Sequence, residues 1–113
     1  MATFTSLQDA REFFIKDRFA SENGMTLEAL TENSAVCAMV LTGRHQNAEG
    51  GVMGGAILAL ADFTFAAASN NAHRPTVAQQ VSFSFLNARK AAASSPRRPA
   101  SRAVGAAAST ISI

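Results

Sequence analysis

Two adjacent glycines, Gly54 and Gly55, stand immediately before an apolar run that begins at Ala56, and one acid, Asp62, interrupts that run. A Gly-Gly pair at the start of a helix leaves backbone N–H groups open to a ligand, because neither residue carries a Cβ. A helix N-terminus adds partial positive charge, so the same donors could polarise a carbonyl and hold the oxyanion that forms on it during acyl transfer. The pair would serve equally well as a tight lead into a buried helix, and spacing alone does not choose between the two. Asp62 is the only charge between Ala56 and Ser69. Burying an unpaired carboxylate costs several kcal/mol or raises its pKa. Such a group could act as a general base on water or as a nucleophile toward a thioester, and the competing reading is a hydrogen-bonded structural Asp or one at a solvent-facing notch.

Asp62 follows Gly55 by seven residues, which puts both on one helix face but about 10 Å apart along the axis. One chain cannot bring both groups to a single ester. The simplest geometry pairs the helix start of one subunit with the carboxylate of another across a two-fold interface, so the mechanism predicts a dimer. Upstream, the Asn47 amide could orient a water or an ester by hydrogen bonds, and His45 lies two residues before it; both could also be ordinary polar loop positions. His73 reads as a helix C-terminal cap or a surface residue. Cys37 reads as a small buried hydrophobe. Two histidines and one cysteine at unrelated spacings give no zinc site, and G-x-G-x-x-G, Walker and G-x-S-x-G patterns are absent.

The elements that must position these residues follow from patterning. Thr5 with Gln8 has capping-box spacing and opens a helix expected to run to Asn23-Gly24. Met25 to Thr31 and Ala35 to Thr42 read as the strands of a hairpin. In the second strand both alternating sets are apolar, so both faces are expected to be covered, and another subunit could be one of the covers. Gly43 to Gly55 reads as a glycine-rich loop. Ala56 to Ser69, ending at Asn70-Asn71, reads as a helix buried nearly all round. Thr76 to Leu86 alternates Val81, Phe83 and Phe85 against Gln80, Ser82 and Ser84, the period of a strand with one face on a core. After Lys90 the chain becomes a mixture of Ala, Ser, Arg and Pro, in which only 102–113 could form a strand.

At 113 residues, 48% of them apolar and 16% charged, the chain fits one domain that can build a core. Charges near the N-terminus (Asp9, Arg11, Glu12, Lys16, Asp17) exclude the apolar centre of a signal peptide, and the longest apolar stretch is shorter than the ~20 residues that span a bilayer. A cytoplasmic protein without a membrane segment is expected, and the unpaired Cys37 is compatible with a reducing compartment. All eight acids lie at or before Asp62, whereas Arg74, Arg89, Lys90, Arg97, Arg98 and Arg102 follow it. That basic half could attract nucleic acid or the phosphates of a coenzyme A ester. The tail has no aromatic residue for stacking on bases, so nucleic acid is the least favoured partner. No repeat appears at periods of 20 to 50 residues.

The run His45-Gln46-Asn47, then Gly50 or Gly51, then Val52-Met53-Gly54-Gly55 and Leu60-Ala61-Asp62 resembles the phenylacetyl-CoA thioesterase-like branch of the hotdog superfamily, over roughly residues 5 to 90. The resemblance implies an α+β hotdog fold, a curved antiparallel sheet wrapped around a long central helix. It also implies a site shared across a dimer: Gly55 polarises the thioester carbonyl, Asn47 orients substrate or water, and Asp62 of the other subunit is the base or nucleophile. Gly54, Met53 and His45 would line the substrate side. Many members carry His at the position of Met53, so a polar contact to the thioester is lost here, although Met also occurs at that position in the family. The family's later strands are replaced by the Ala/Ser/Arg/Pro tail. A hotdog domain over 1–90 and an atypical tail over 91–113, with incomplete C-terminal strands, are therefore expected. A shifted reading frame or a truncation would explain the tail, and the parent locus would show an intact alternative frame encoding strands.

The expected function is hydrolysis of an acyl-CoA thioester to the free acid and coenzyme A by a homo-oligomer, dimer or tetramer, without cofactor or metal. The alternative is a catalytically weak or inactive hotdog module that binds acyl-CoA or supports assembly.

Overall fold

A computed structural model describes residues 2–32 and 34–85, and the backbone of a strand at Arg102–Ala108. The boundary expected between 90 and 91 lies outside the described residues. The element order is α1 (Leu7–Phe14), α2 (Arg18–Glu22), β1 (Met25–Leu30), β2 (Ser34–Val40), a 3-10 turn (Gly43–His45), α3 (Gly54–Ala72) and β3 (Arg102–Ala108). The described fold is α+β, as expected: an antiparallel sheet in the order β1-β2-β3, with α3 packed across it.

Capping explains where the N-terminal helices begin and end. The Ser6 hydroxyl accepts from the Asp9 N–H at 3.0 Å, and the Asp9 carboxylate reaches back to the Thr5 N–H at 3.1 Å. The N-cap expected at Thr5 thus sits one residue later, at Ser6, and Asp9 rather than Gln8 reaches back, to the N–H of Thr5. The single helix expected up to Asn23 is two, because the Asp17 carboxylate caps a second start by accepting from the Ala20 N–H at 3.0 Å.

In β1 the buried residues Met25 and Leu27 alternate with exposed Thr26 and Glu28, and a bulge follows Leu27. β2 lies between β1 and β3, with Cys37 opposite Leu27 on one side and Gly105 on the other. Its Ala35, Cys37, Ala38 and Met39 are all buried. The face of Ala35, Cys37 and Met39 is buried throughout, whereas on the other face only Ala38 is buried, with Val36 half-buried and Val40 exposed, so the second face expected to be covered is covered only in part.

α3 begins two residues before the expected start and runs past Asn70-Asn71. Two side chains allow the extension. Asn70 donates back to the Ala66 carbonyl at 2.8 Å and also exchanges hydrogen bonds with the Thr76 backbone. Buried Asn71 accepts from the Phe4 N–H at 3.1 Å and donates to the Thr31 carbonyl at 2.8 Å, while its own carbonyl accepts from the Thr3 N–H. One amide thus ties together the N-terminal segment, the end of β1 and the last turn of α3. Beside it, the rings of Phe4, Phe13 and Phe14 meet at centroid separations of 5.1–5.5 Å, and Phe14 meets Phe63 of α3 edge-on at 5.9 Å.

Two expectations are corrected. α3 is not buried nearly all round: Leu60, Phe63, Thr64, Ala67 and Ala68 are buried, but Gly55 and Asp62 are exposed. Over its described residues the strand expected from Thr76 to Leu86 is also not formed, since 76–85 is irregular and, beyond half-buried Thr76, exposed, with Val77 and Phe85 each more than half open to solvent. The edge of β2 away from β1 is occupied by β3, so an alternating segment elsewhere has no place beside β2 in the described sheet. Alternation made the segment amphipathic without giving it a partner strand.

Replacing Asn71 by Ala removes both side-chain bonds and leaves the buried Phe4 N–H without its acceptor, a loss expected to cost about 1–3 kcal/mol. Urea denaturation of wild type and Asn71→Ala measures it; an unchanged midpoint would mean that the tie is not holding these three segments.

Candidate active site

The loop from Leu41 to Met53 is shaped by its own polar groups. The Thr42 N–H donates to His45 Nδ1 at 3.0 Å, and the His45 N–H donates to the Thr42 carbonyl, closing the 3-10 turn. Asn47 Oδ1 accepts from the N–H groups of Glu49 and Gly51, both at 3.0 Å. The Asn47 N–H donates to the Gly51 carbonyl, and Gly50 completes the turn with a φ of +79°, a conformation that disfavours any residue with a Cβ. A bridge between Gln46 and Val52 pairs the two arms of the loop. At its base the Met53 N–H donates to the His45 carbonyl at 2.7 Å, which sets where α3 begins.

From Met53 the chain enters α3. The Met53 carbonyl accepts from the N–H groups of Ala56 and Ile57, so the helical bonding pattern starts there. The amides of Gly54 and Gly55 precede any helical acceptor and are left as donors at the helix end. A Cβ at Gly54 would stand 3.2 Å from Cζ of Phe85, whose half-exposed ring lies against the glycine backbone and would have to shift by a few tenths of an ångström. The position of a Gly55 Cβ is 4.0 Å from both Cγ and Cε of Met53, so the thioether chain, itself half exposed, borders the second glycine with an apolar lip.

Asp62 is exposed and forms no ion pair among the described residues. It lines a groove of about 480 Å³ together with Ala61 and Phe65 of α3 and the segment from Thr76 to Phe83. The expectation of a buried acid therefore does not hold in this chain, because the flank of α3 that carries Asp62 faces outward. The acid nevertheless borders a crevice, on the same helix strip as Gly55.

The residues singled out in the sequence divide between two places. Gly54, Gly55 and Met53 meet at the start of α3, tied through one hydrogen bond to His45 and through the loop to Asn47. Asp62 stands two turns further along. Asn47, expected to orient substrate or water, spends its carbonyl oxygen on the loop's own backbone, so only its Nδ2 is available for that task. His45 is buried rather than an open loop position, and its Nε2 has no partner among the described residues. Because Nδ1 accepts from a backbone N–H, the neutral ring carries its proton on Nε2. Burial, and then the neighbouring Arg44, push the His45 pKa down from 6.5.

His73 is exposed at the end of α3, where its N–H donates to the Ser69 carbonyl. Cys37 is a core residue whose thiol pKa is raised by burial, an effect opposed by a side-chain hydrogen bond with Thr64. Among the described residues no group of acids, histidines and cysteines could hold a metal, and no helix is long and apolar enough to cross a membrane. Sequence reasoning missed Phe85 as a neighbour of the glycine pair. Its alternation with Ser82 and Ser84 signals only a core-facing strand position.

No family model matches the chain, and no curated protein matches it. Solved structures do. The TT0310 protein of Thermus thermophilus is 39% identical over 48% of this chain and 46% of its own, with a TM-score of 0.47. A mutant of the phenylacetic acid degradation protein PaaI from the same organism is 35% identical over 50% of both chains, with a TM-score of 0.49. The E. coli PaaI protein from the phenylacetic acid degradation operon is 29% identical over 58% of this chain and 50% of its own, with a TM-score of 0.46. The chain spans about half the length of the solved structures it matches.

The lowered pKa of His45 makes stability depend on pH. The unfolded chain takes up a proton at a higher pH than the folded one, so the contribution is complete above the unfolded value near 6.5 and is lost as pH falls below it. The melting temperature is expected to drop between about pH 7.5 and about pH 5.5, and His45→Asn, whose Oδ1 can still accept from Thr42, should flatten that drop. Parallel slopes for the two proteins would show that His45 titrates alike in both states.

Proposed function

We propose that this chain is a hotdog-type acyl-CoA thioesterase acting as a homo-oligomer. The observation that carries the reading is the start of α3. Among the described residues two adjacent glycine amides are left without an acceptor at a helix N-terminus, beside the Met53-to-His45 hydrogen bond, with a carboxylate on the same exposed strip.

In the proposed reaction the thioester carbonyl oxygen is received by the Gly55 N–H, with Gly54 beside it, and the helix end stabilises the negative charge that develops there. A carboxylate then acts in one of two ways. As a base, it takes a proton from a water that adds to the carbonyl carbon. As a nucleophile, it forms an anhydride that water opens. In both routes the C–S bond breaks, the coenzyme A sulfur leaves and is protonated, and the acyl group departs as the free acid. Asn47 orients the water or the ester through Nδ2, the one side-chain group its loop leaves available.

Seven residues of helix separate Gly55 from Asp62, about 10 Å along the axis, so the acid meeting the glycine-bound ester is taken to be Asp62 of a second subunit. The exposure of Asp62 fits this requirement, since a group that works on a neighbour's substrate must be reachable from outside its own chain. The basic excess after Asp62 suits the coenzyme A phosphates. A cytoplasmic location belongs to the same proposal.

A second reading is favoured by Met53. Its apolar lip beside Gly55 supplies no hydrogen bond to the thioester, which suits a module that binds acyl-CoA and turns it over weakly or not at all. Assays on a panel of acyl-CoAs separate the two. Under the enzyme reading, wild type hydrolyses at least one member, and Asp62→Ala lowers kcat by about 100-fold or more with binding retained. Binding without turnover in wild type establishes the module. Mixing Asp62→Ala with Gly54→Val subunits tests the shared site, since only a site built from two chains regains activity on mixing.

A further inference from the structure

Away from the glycine pair, a smaller hollow of about 210 Å³ opens between α1, α2 and β1. Its walls are largely apolar, from Phe14, Ile15, Met25, Leu27 and Phe63, and Arg11 stands among them. Arg11 is fixed: its Nε donates to the Leu27 carbonyl at 2.8 Å, which fastens one edge of the guanidinium to β1. Its Nη groups make no hydrogen bond or ion pair among the described residues. Acids on the same elements are engaged elsewhere. Asp9 accepts from Thr5, Glu12 from Gln8, Glu22 from Arg18, and Glu28 from the Thr26 hydroxyl.

We propose that this hollow is a binding site for a small monocarboxylate with an apolar body, held by the anchored Arg11 fork. A planar guanidinium already pinned through Nε presents its remaining donors in the geometry that a carboxylate accepts, and loses little freedom on binding. The hollow equals about seven times the ~30 Å³ share of one liquid water, which suits a body of about five or six carbons rather than a lipid tail. Ile15, 68% exposed at the rim, would be covered by such a ligand. Neutral and cationic molecules of the same size gain the apolar contact but not the fork.

The test is a titration of the full-length, nitrogen-15-labelled chain with hexanoate, hexan-1-ol and hexylammonium, followed by backbone amide shifts. Hexanoate is expected to bind at least tenfold more tightly than either comparator and to move the amides of Ile15, Ser21, Thr26 and Leu27. Arg11→Gln should bring hexanoate to the level of hexan-1-ol. Ile15→Asp, which sets a like charge at an exposed rim position and leaves the core intact, should weaken hexanoate at least as much. Equal affinity for the three probes, shifts confined to the groove beside Asp62, or unchanged hexanoate binding in both variants would overturn the assignment.

Discussion

The structure depends on α3 having to bury one flank while leaving the other open. On the buried flank, Leu60, Phe63, Thr64, Ala67 and Ala68 press against the sheet and the aromatic cluster of the N-terminal helix. This contact lets a small sheet hold a 19-residue helix in place. The direction of the helix then fixes everything about the site. Its N-terminal end receives the loop from β2, its open flank carries Gly55 and Asp62, and its C-terminal turn is locked by Asn71 to the N-terminal segment and the hairpin. Fraying at the C-terminal end would loosen the first turn only indirectly, whereas the Met53-to-His45 bond acts on that turn itself.

Much of this was legible in the sequence because its signals are local. Two apolar-rich runs marked the hairpin of β1 and β2, and Gly54-Gly55 marked the start of the long helix. Asp17 as a second cap is also a local signal, but a hydrophobic period continuing through Phe19 and Ala20 masks it. What escaped depends on distant partners. The alternation of Val81, Phe83 and Phe85 describes an amphipathic segment, but a strand needs an available edge, and in the described sheet the edge of β2 away from β1 belongs to β3. Similarly, the apolar composition of 56–69 suggested burial all round, yet alanines cover little area, and a helix rich in them can be apolar on a flank it leaves open.

The exposure of Asp62 bears on how its chemistry could arise. In this chain the carboxylate lies exposed along the groove it lines, so under the proposed function its surroundings would be completed by whatever covers that groove. An apolar ester, or a second subunit bringing its own apolar surface, would remove water from that groove and raise the energy of the charged form. The residues around the groove suit such a cover: Val81 and Phe83 lie along it with much of their surface exposed. Under the proposed function, such activation on binding would also avoid the standing cost of a buried unpaired acid in the free chain.

In the proposed reaction Met53 would concentrate the stabilising burden on the backbone. A side-chain donor at that position would share the developing negative charge with the glycine amides; a thioether offers only dispersion and polarisability. The two N–H groups must then be placed well, and their placement rests on bonds the loop makes with itself: His45 carbonyl to Met53, Asn47 to Glu49 and Gly51, Thr42 to the His45 ring. Hence the polar residues of the loop are spent on geometry rather than presented to solvent, and buried His45 can be as important to the site as an exposed group. A backbone donor cannot be removed by substitution, only misaimed. For that reason the glycines and the loop that aims them, more than any single side chain, carry the chemical character of this end of the helix.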